Sequence, residues 1–428
     1  MGMSIMIENG RVIDPANQVD VEASLYVADG KVLSLGTKPE GFVADRTIDA
    51  SGQVVCPGFV DLCTRLREPG LEHKGTIASE TKAAVSAGFT TLCCPPDTDP
   101  VIDTPAVANL IQERAQLAGS CCLLPIGALT KNLEGDSLSE MGALQAAGCL
   151  AVSNAGSAIK STLILRRAME YAATYDLLVI IRPEDQGLSA GGFVHEGAVS
   201  ARLGLPGIPD IAETTAVAQA LELIRHTGVR AHFGQLSSVK AARMIGRARH
   251  EGVPVSADVS AHQLFLSELD ISGYNAQCHV RPPLRAESDR EGLRLAVAEG
   301  VIGAICSDHQ PHESDAKLDL FQSTEPGIAG LETVLPLLLK LVDDGVLELN
   351  DAIARLTAGP ADILGFECGQ LKEGSPADVT IFDPQKQWQV GDENWLSAGR
   401  NNPFNGQIAT GQVTLTLQSG RVVFDRNS

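Results

Sequence analysis

The chain has 428 residues, with 33 Lys plus Arg against 53 Asp plus Glu, a net charge of −20. Apolar residues at 44 % and charged residues at 20 % exclude a disordered chain. The acidity excludes nucleic acid or an anionic membrane as the main partner, because phosphate contacts need clustered Lys and Arg.

The first ten residues lack the basic and apolar regions of a signal or transit peptide, and no run approaches the roughly 20 apolar residues that span a bilayer. Met3–Ile13 and Ala23–Leu35 alternate in strand fashion around Glu8-Asn9-Gly10 and Ala28-Asp29-Gly30. The middle of the chain has a different rhythm. Val54–Leu62, Thr90–Cys94, Cys121–Leu129, Cys149–Ser153, Leu177–Ile181, Val229–Phe233, Val253–Val259 and Val301–Cys306 are short apolar runs, the mark of strands buried on both faces. Helical periodicity separates them over Ser79–Ala87, Thr104–Ala118, Ser137–Ala147, Ser161–Thr174, Ile211–His226, Ser238–His250 and Asp289–Glu299, and Gly330–Asp343 follows the last run. Eight such units over roughly 280 residues predict a closed (β/α)₈ barrel, a fold that typically takes about 250. An open doubly wound sheet is the alternative, weakened by the lack of a GxGxxG turn. Ala377–Phe382 and Val413–Phe424 return to strand alternation around Ser419-Gly420. The expected organisation is an α/β barrel over 56–362 with a small β-sandwich built from 1–55 and 363–428.

The ten cysteines include the adjacent pairs Cys93-Cys94 and Cys121-Cys122 and show no CxxC spacing. They read as small core hydrophobes in a reducing, cytoplasmic compartment. GxSxG, HExxH and Walker A patterns are absent, so a serine hydrolase, a zincin and a P-loop NTPase are not supported.

A barrel of this kind carries its site at the C-terminal ends of its strands. Cys63, Arg65 and Arg67 follow the first run, Asp97 the second, Asn154 the fourth, Arg182 and Glu184 the fifth, Gln235 the sixth, and Asp308, His309 and His312 the eighth. Four cations, Arg65, Arg67, Arg182 and Arg281, allow a small-anion sensor as a minor reading. Arg67 could also pair structurally with Glu68 or Asp61, and His232 and His262 read as hydrogen-bonded strand-end residues rather than ligands.

Several stretches carry a resemblance: Pro57-Gly58-Phe59-Val60-Asp61, Leu66-Arg67-Glu68-Pro69-Gly70, His195-Glu196-Gly197 with Arg202 to Gly207, Pro282-Pro283-Leu284-Arg285, Ser307-Asp308-His309, Gly330-Leu331-Glu332-Thr333, and Asn401 with Pro403-Phe404. Over almost its whole length the chain resembles the long bacterial type of dihydroorotase, in the amidohydrolase superfamily. The resemblance implies zinc held by a His-x-His pair at the end of strand one, an Asp after strand four, a His after each of strands five and six, and an Asp after strand eight. Here Cys63 and Arg65, Asn154, Arg182 and Gln235 stand at those positions, and only Asp308 survives. By the same resemblance Arg67, Asp97 and His312 are vestiges of the substrate pocket. Asp97 stands where the family uses Asn, and its carboxylate would repel an anionic substrate.

An Arg guanidinium has no acceptor and stays protonated, so it cannot ligate a metal. Zinc lowers the pKa of bound water from about 15.7 to about 7, roughly 12 kcal/mol of activation; no side chain here replaces that. Asp308 should instead be held as a carboxylate by Arg65 or Arg182. The resemblance therefore implies a pseudoenzyme without catalytic residues or metal. Its implied partners are the catalytic chain of aspartate carbamoyltransferase and at least one further copy of itself. The alternative is an active amidohydrolase acting on a cyclic amide, with Asp308 as general base and one atypical metal held partly by Cys63.

Overall fold

The computed structural model describes residues 3–391 and 395–427. Residues 1–2, 392–394 and 428 of the two expected terminal segments lie outside the described residues.

Eight parallel strands form the barrel: Phe59–Asp61, Phe89–Cys94, Cys122–Pro125 continuing in Gly127–Ala128, Ala151–Ser153, Leu178–Ile181, Ala231–Phe233, Val255–Ser260 and Ala304–Cys306. A parallel bridge from Thr64 to His309 closes the ring between the first strand and the last. Every second side chain points inward. Val60, Cys93, Leu124, Ala151, Leu178 and Ala304 build the inner core. Their neighbours Phe59, Leu92, Leu123, Val152, Val179 and Ile305 pack outward under the helices. Both faces are therefore apolar, which is why the strands read as unbroken runs.

The helices begin where local chemistry starts them. Thr76 accepts from the Ser79 amide at 3.0 Å in a capping box that opens Ile77–Ser86. Two expectations are corrected. The helix expected over Ser137–Ala147 is only Met141–Ala146, because Leu138 bridges back to Thr130 and the Ser139 amide donates to Leu129. The helix expected from Gly330 starts at Val334, after a 3₁₀ turn at Leu331–Thr333.

Strands from both ends of the chain form one eight-stranded sheet, in the order Arg421–Asp425, Ile408–Gln418, Val379–Gln389, Val54–Pro57, Ile5–Asp14, Val19–Ala28 and Lys31–Leu35, with Arg46–Asp49 also on Ile5–Asp14. The sheet has its own core, which unites Ile5, Leu25 and Val27 with Ile381, Leu415 and Leu417. The first apolar run is thus two strands. Val54–Pro57 lies in this sheet, antiparallel to Val379–Gln389, and only Phe59–Asp61 enters the barrel. Pro57 lacks an amide to continue the ladder, and Gly58 lies so close to the Thr90 side chain that a Cβ would collide. Thr380 and Thr416 donate to the carbonyls of Gly88 (2.6 Å) and Val85 (2.7 Å), fixing the sheet to the barrel.

Candidate functional site at the barrel mouth

The barrel mouth is organised around one guanidinium. Arg65 Nε donates to Asp97 Oδ2 at 2.7 Å and Nη1 to Asp308 Oδ1 at 3.1 Å. The same Nη1 lies 3.6 Å from Cys63 Sγ, which is 3.7 Å from Asp308 Oδ1. Gln310 Nε2 adds a bond to Asp308 Oδ1 at 3.1 Å. Burial works against the charge on Arg65, but Asp97, the Cys63 sulfur and Asp308 outweigh it and raise its pKa well above the ordinary value. Burial likewise resists ionisation of Asp97, and Arg65 overcomes it, leaving that carboxyl below its ordinary range. Burial drives the Cys63 thiol well up, against the pull of Arg65. Asp308, Gln235 and Arg67 have φ of +44°, +58° and +68°, the left-handed region that costs non-glycine residues energy and gathers at functional sites.

Beside this cluster Arg67 turns away from both partners considered for it. Its Nε donates to Pro311 O at 3.0 Å and its Nη2 lies 3.0 Å from His312 Nε2. Glu68 instead accepts from the Ile77 amide (2.8 Å), and Asp61 accepts from the Ser307 amide (2.7 Å). His312 Nδ1 meets Lys74 Nζ at 3.2 Å, and Lys74 also reaches Glu325 at 2.5 Å. A neutral imidazole has one acceptor nitrogen, and here two cationic donors face the ring. Burial, then Arg67, lowers the His312 pKa to about 3. Burial, then Arg65, lowers that of Arg67 to about 10.

The remaining positions separate from the Arg65 cluster. Asn154 turns its amide into its own loop, accepting from Thr130 Oγ1 at 2.6 Å and donating to Ser157 O at 3.1 Å. Arg182 pairs not with Asp308 but with Glu184, at 3.4 Å. Glu184 is shared with Arg281, whose Nε lies 3.0 Å from Glu184 Oε1. Gln235 is buried, and its backbone N–H donates to Asp258 Oδ1 at 2.6 Å.

Buried polar links hold this frame; the hydrogen-bonded strand-end role expected of His232 is found, and that expected of His262 is not. Glu80 joins His309 Nε2 (2.8 Å) and Ser397 Oγ (2.6 Å). Asp258 bonds His232 Nε2 at 2.9 Å. Asp61 ties strand one to strand eight through Ser307 and Thr64, and burial raises its pKa to about 6. His262 is also buried, but its Nε2 has no hydrogen-bond partner, and burial lowers its pKa to about 4.

The donor set does not fit a catalytic zinc. Among the described residues no three His, Cys, Asp or Glu side chains gather as a metal-holding group. Cys63 and Asp308 provide two donors, one of them a thiol that burial keeps protonated, and the Arg65 guanidinium projects between them and Asp97. The arrangement can bind and position charge.

A dihydro-orotase-like family model matches residues 52–241. A dihydroorotase-like protein of Pseudomonas aeruginosa is 48 % identical over 423 residues, covering 99 % of this chain and 100 % of that one. Another, of Pseudomonas putida, is 50 % identical over 420 residues, with 98 % and 99 % covered. A dihydroorotase of Trichlorobacter lovleyi is 40 % identical, with 99 % of each chain covered. Among solved structures, the L-hydantoinase (dihydropyrimidinase) of Arthrobacter aurescens superposes with a TM-score of 0.87 at 25 % identity, over 100 % of this chain and 97 % of that one. The dihydropyrimidinase of Brevibacillus agri NCHU1002 gives 0.84 at 21 % identity, over 100 % and 96 %, a likeness of fold.

Proposed function

This chain belongs to the dihydroorotase-like family, and we propose that within it the chain is a pseudoenzyme: a non-catalytic, metal-free subunit that assembles with the catalytic chain of aspartate carbamoyltransferase and supports it in pyrimidine biosynthesis. The observation that carries this reading is Arg65, whose guanidinium stands at a family ligand position and pairs with Asp308 at 3.1 Å and Asp97 at 2.7 Å. A permanent cation there repels a metal ion and satisfies the one carboxylate left to hold it. Asp97 sets a negative charge where an anionic substrate would dock. A full-length scaffold kept without its chemistry supports a structural role; the transferase and self-association, at least to a dimer, rest on the family resemblance alone. All ten cysteines are free thiols, which supports a reducing, cytoplasmic setting, and no helix among the described residues is long and apolar enough to cross a membrane.

The second reading keeps an active amidohydrolase with one metal on Cys63 and Asp308, favoured only by their 3.7 Å approach. One experiment separates the two. The purified chain is dialysed against zinc, metal per chain is measured by mass spectrometry, and hydrolysis of dihydroorotate is assayed. The chain is then mixed with the transferase catalytic chain in a sedimentation run. The proposal expects no retained zinc, no hydrolysis and a joint boundary that keeps transferase activity. Tightly held zinc lost in Asp308→Ala, together with turnover, overturns the pseudoenzyme; separate boundaries overturn the partnership.

A further inference from the structure

The segment Glu313–Glu325 leaves the barrel mouth after His312 and returns to it at Pro326, and one buried cation holds both of its ends. Lys74 Nζ lies 2.5 Å from Glu325 and 3.5 Å from Glu313. Between the ends the segment is fixed from beneath. Lys317 is buried and donates to Glu325 O at 2.6 Å and to His279 O at 3.2 Å. Phe321 is buried, with its ring 4.8 Å from that of His279, and Thr324 Oγ1 lies 2.8 Å from His279 Nδ1. This is a compact loop with closed ends, a form that frequently carries function.

Between the inward anchors Lys317 and Phe321 the chain turns Leu318 and Leu320 outward, 77 % and 78 % exposed. Single exposed leucines are ordinary on a protein surface. Two on one fixed loop differ, because the anchors on either side keep them from folding back into the core. Their apolar surface leaves water only against another molecule. Asp315 and Asp319 are exposed beside them, and the one cation of the loop, Lys317, is buried and engaged. The protruding part is therefore apolar and negative. A second copy of the chain does not fit it. A two-fold contact through this loop would set Asp315 and Asp319 against their own counterparts, in a chain of net charge −20. Charge complementarity asks for a different chain, with an apolar hollow rimmed by Lys or Arg.

We propose that Glu313–Glu325 is the loop by which this chain docks on the transferase catalytic chain, with Leu318 and Leu320 entering an apolar hollow and Asp315 and Asp319 meeting a basic rim. The inference rests on the scaffold reading and deepens it. It also gives the Arg67 and His312 pair a task, since His312 lies 3.2 Å from the lysine that clamps both ends of the loop.

The test measures by sedimentation the affinity of the full-length chain for the transferase catalytic chain. Leu318→Ser with Leu320→Ser is expected to raise Kd at least about tenfold, with Tm unchanged because both side chains lie in solvent. Asp315→Lys with Asp319→Lys should weaken binding as well, and should remove the loss of affinity that salt causes in the unaltered chain. Leu117→Ser, at an exposed leucine on the helix Pro105–Ala118, should leave Kd unchanged. If the unaltered chain associates and the leucine double variant binds equally well, the docking loop is overturned and the scaffold reading stands. No association of the unaltered chain overturns both. An equal loss in Leu117→Ser overturns the assignment of the contact to this loop, and tighter binding by the aspartate double variant overturns the basic rim.

Discussion

Arg65 and Asp308 form an ion pair of 3.1 Å with side chains only 8 % and 2 % exposed, joining the end of the first barrel strand to the end of the last. Removing one member of a buried pair strands the other, and the cost is typically about 3–5 kcal/mol. Arg65→Ala is therefore expected to lower unfolding free energy in urea by about that amount, since Asp308 and Asp97 both lose their cation. A loss under about 1 kcal/mol would show that the pair does not hold the mouth together.

Metal binding should be recoverable. Positions 63 and 65 are two residues apart in an extended segment and so present side chains on one side. Cys63→His with Arg65→His removes the cation and sets two imidazoles beside Asp308, three donors of the kind zinc accepts. The double variant is expected to retain about one zinc per chain after dialysis, against essentially none for the unaltered chain, read by mass spectrometry. Equal metal content in the two would contradict the account of why this mouth rejects a metal.

Acid stability carries the signature of a buried neutral imidazole. The His262 pKa is about 4 in the folded chain against about 6.5 when unfolded. Between those values the unfolded state binds more protons, so stability rises with pH across the window and is lost as pH falls through it. From pH 7.5 to pH 5 this group alone costs about 2 kcal/mol. Replacing it in His262→Leu should flatten the pH dependence by that amount in urea titrations at the two pH values. An unaltered slope would place the titration elsewhere.

The seam between sheet and barrel should be intolerant of one methyl group. Gly88 has φ of +89°, and a Cβ there would lie 2.6 Å from Thr380 Cγ2 and 2.8 Å from the Phe59 ring. Strain and overpacking together predict a loss of about 2–4 kcal/mol for Gly88→Ala, seen as a lower Tm. Wild-type stability would mean that the seam yields.

The barrel was legible because its strands are covered on both faces, so each appears as an apolar run, and each of the eight runs overlaps a barrel strand. The division at Pro57-Gly58 was hidden because Val54–Leu62 is apolar on both sides of it, and hydrophobicity does not record which sheet a strand joins. Spacing at the strand ends gathered the mouth residues but could not choose partners. Arg65 and Asp308 are 243 residues apart, Arg67 and His312 are 245 apart, and Glu80 and His309 are 229 apart. Whether Arg65 or Arg182 would hold Asp308 depended on Glu184, which reaches Arg182 and Arg281 first.

The place of Val54–Pro57 in the terminal sheet has a consequence for how the chain is made. One of its edges pairs with Ile5–Asp14, which emerges earlier, and the other with Val379–Gln389. The bond from Cys56 Sγ to Thr380 O spans 324 residues. At about 5–20 residues per second, synthesis leaves that second edge bare for on the order of tens of seconds. A nascent chain thus carries an open strand edge while the barrel is being assembled, and such an edge invites pairing with another chain. The strand that shuts it, Val379–Gln389, is translated only after every barrel strand.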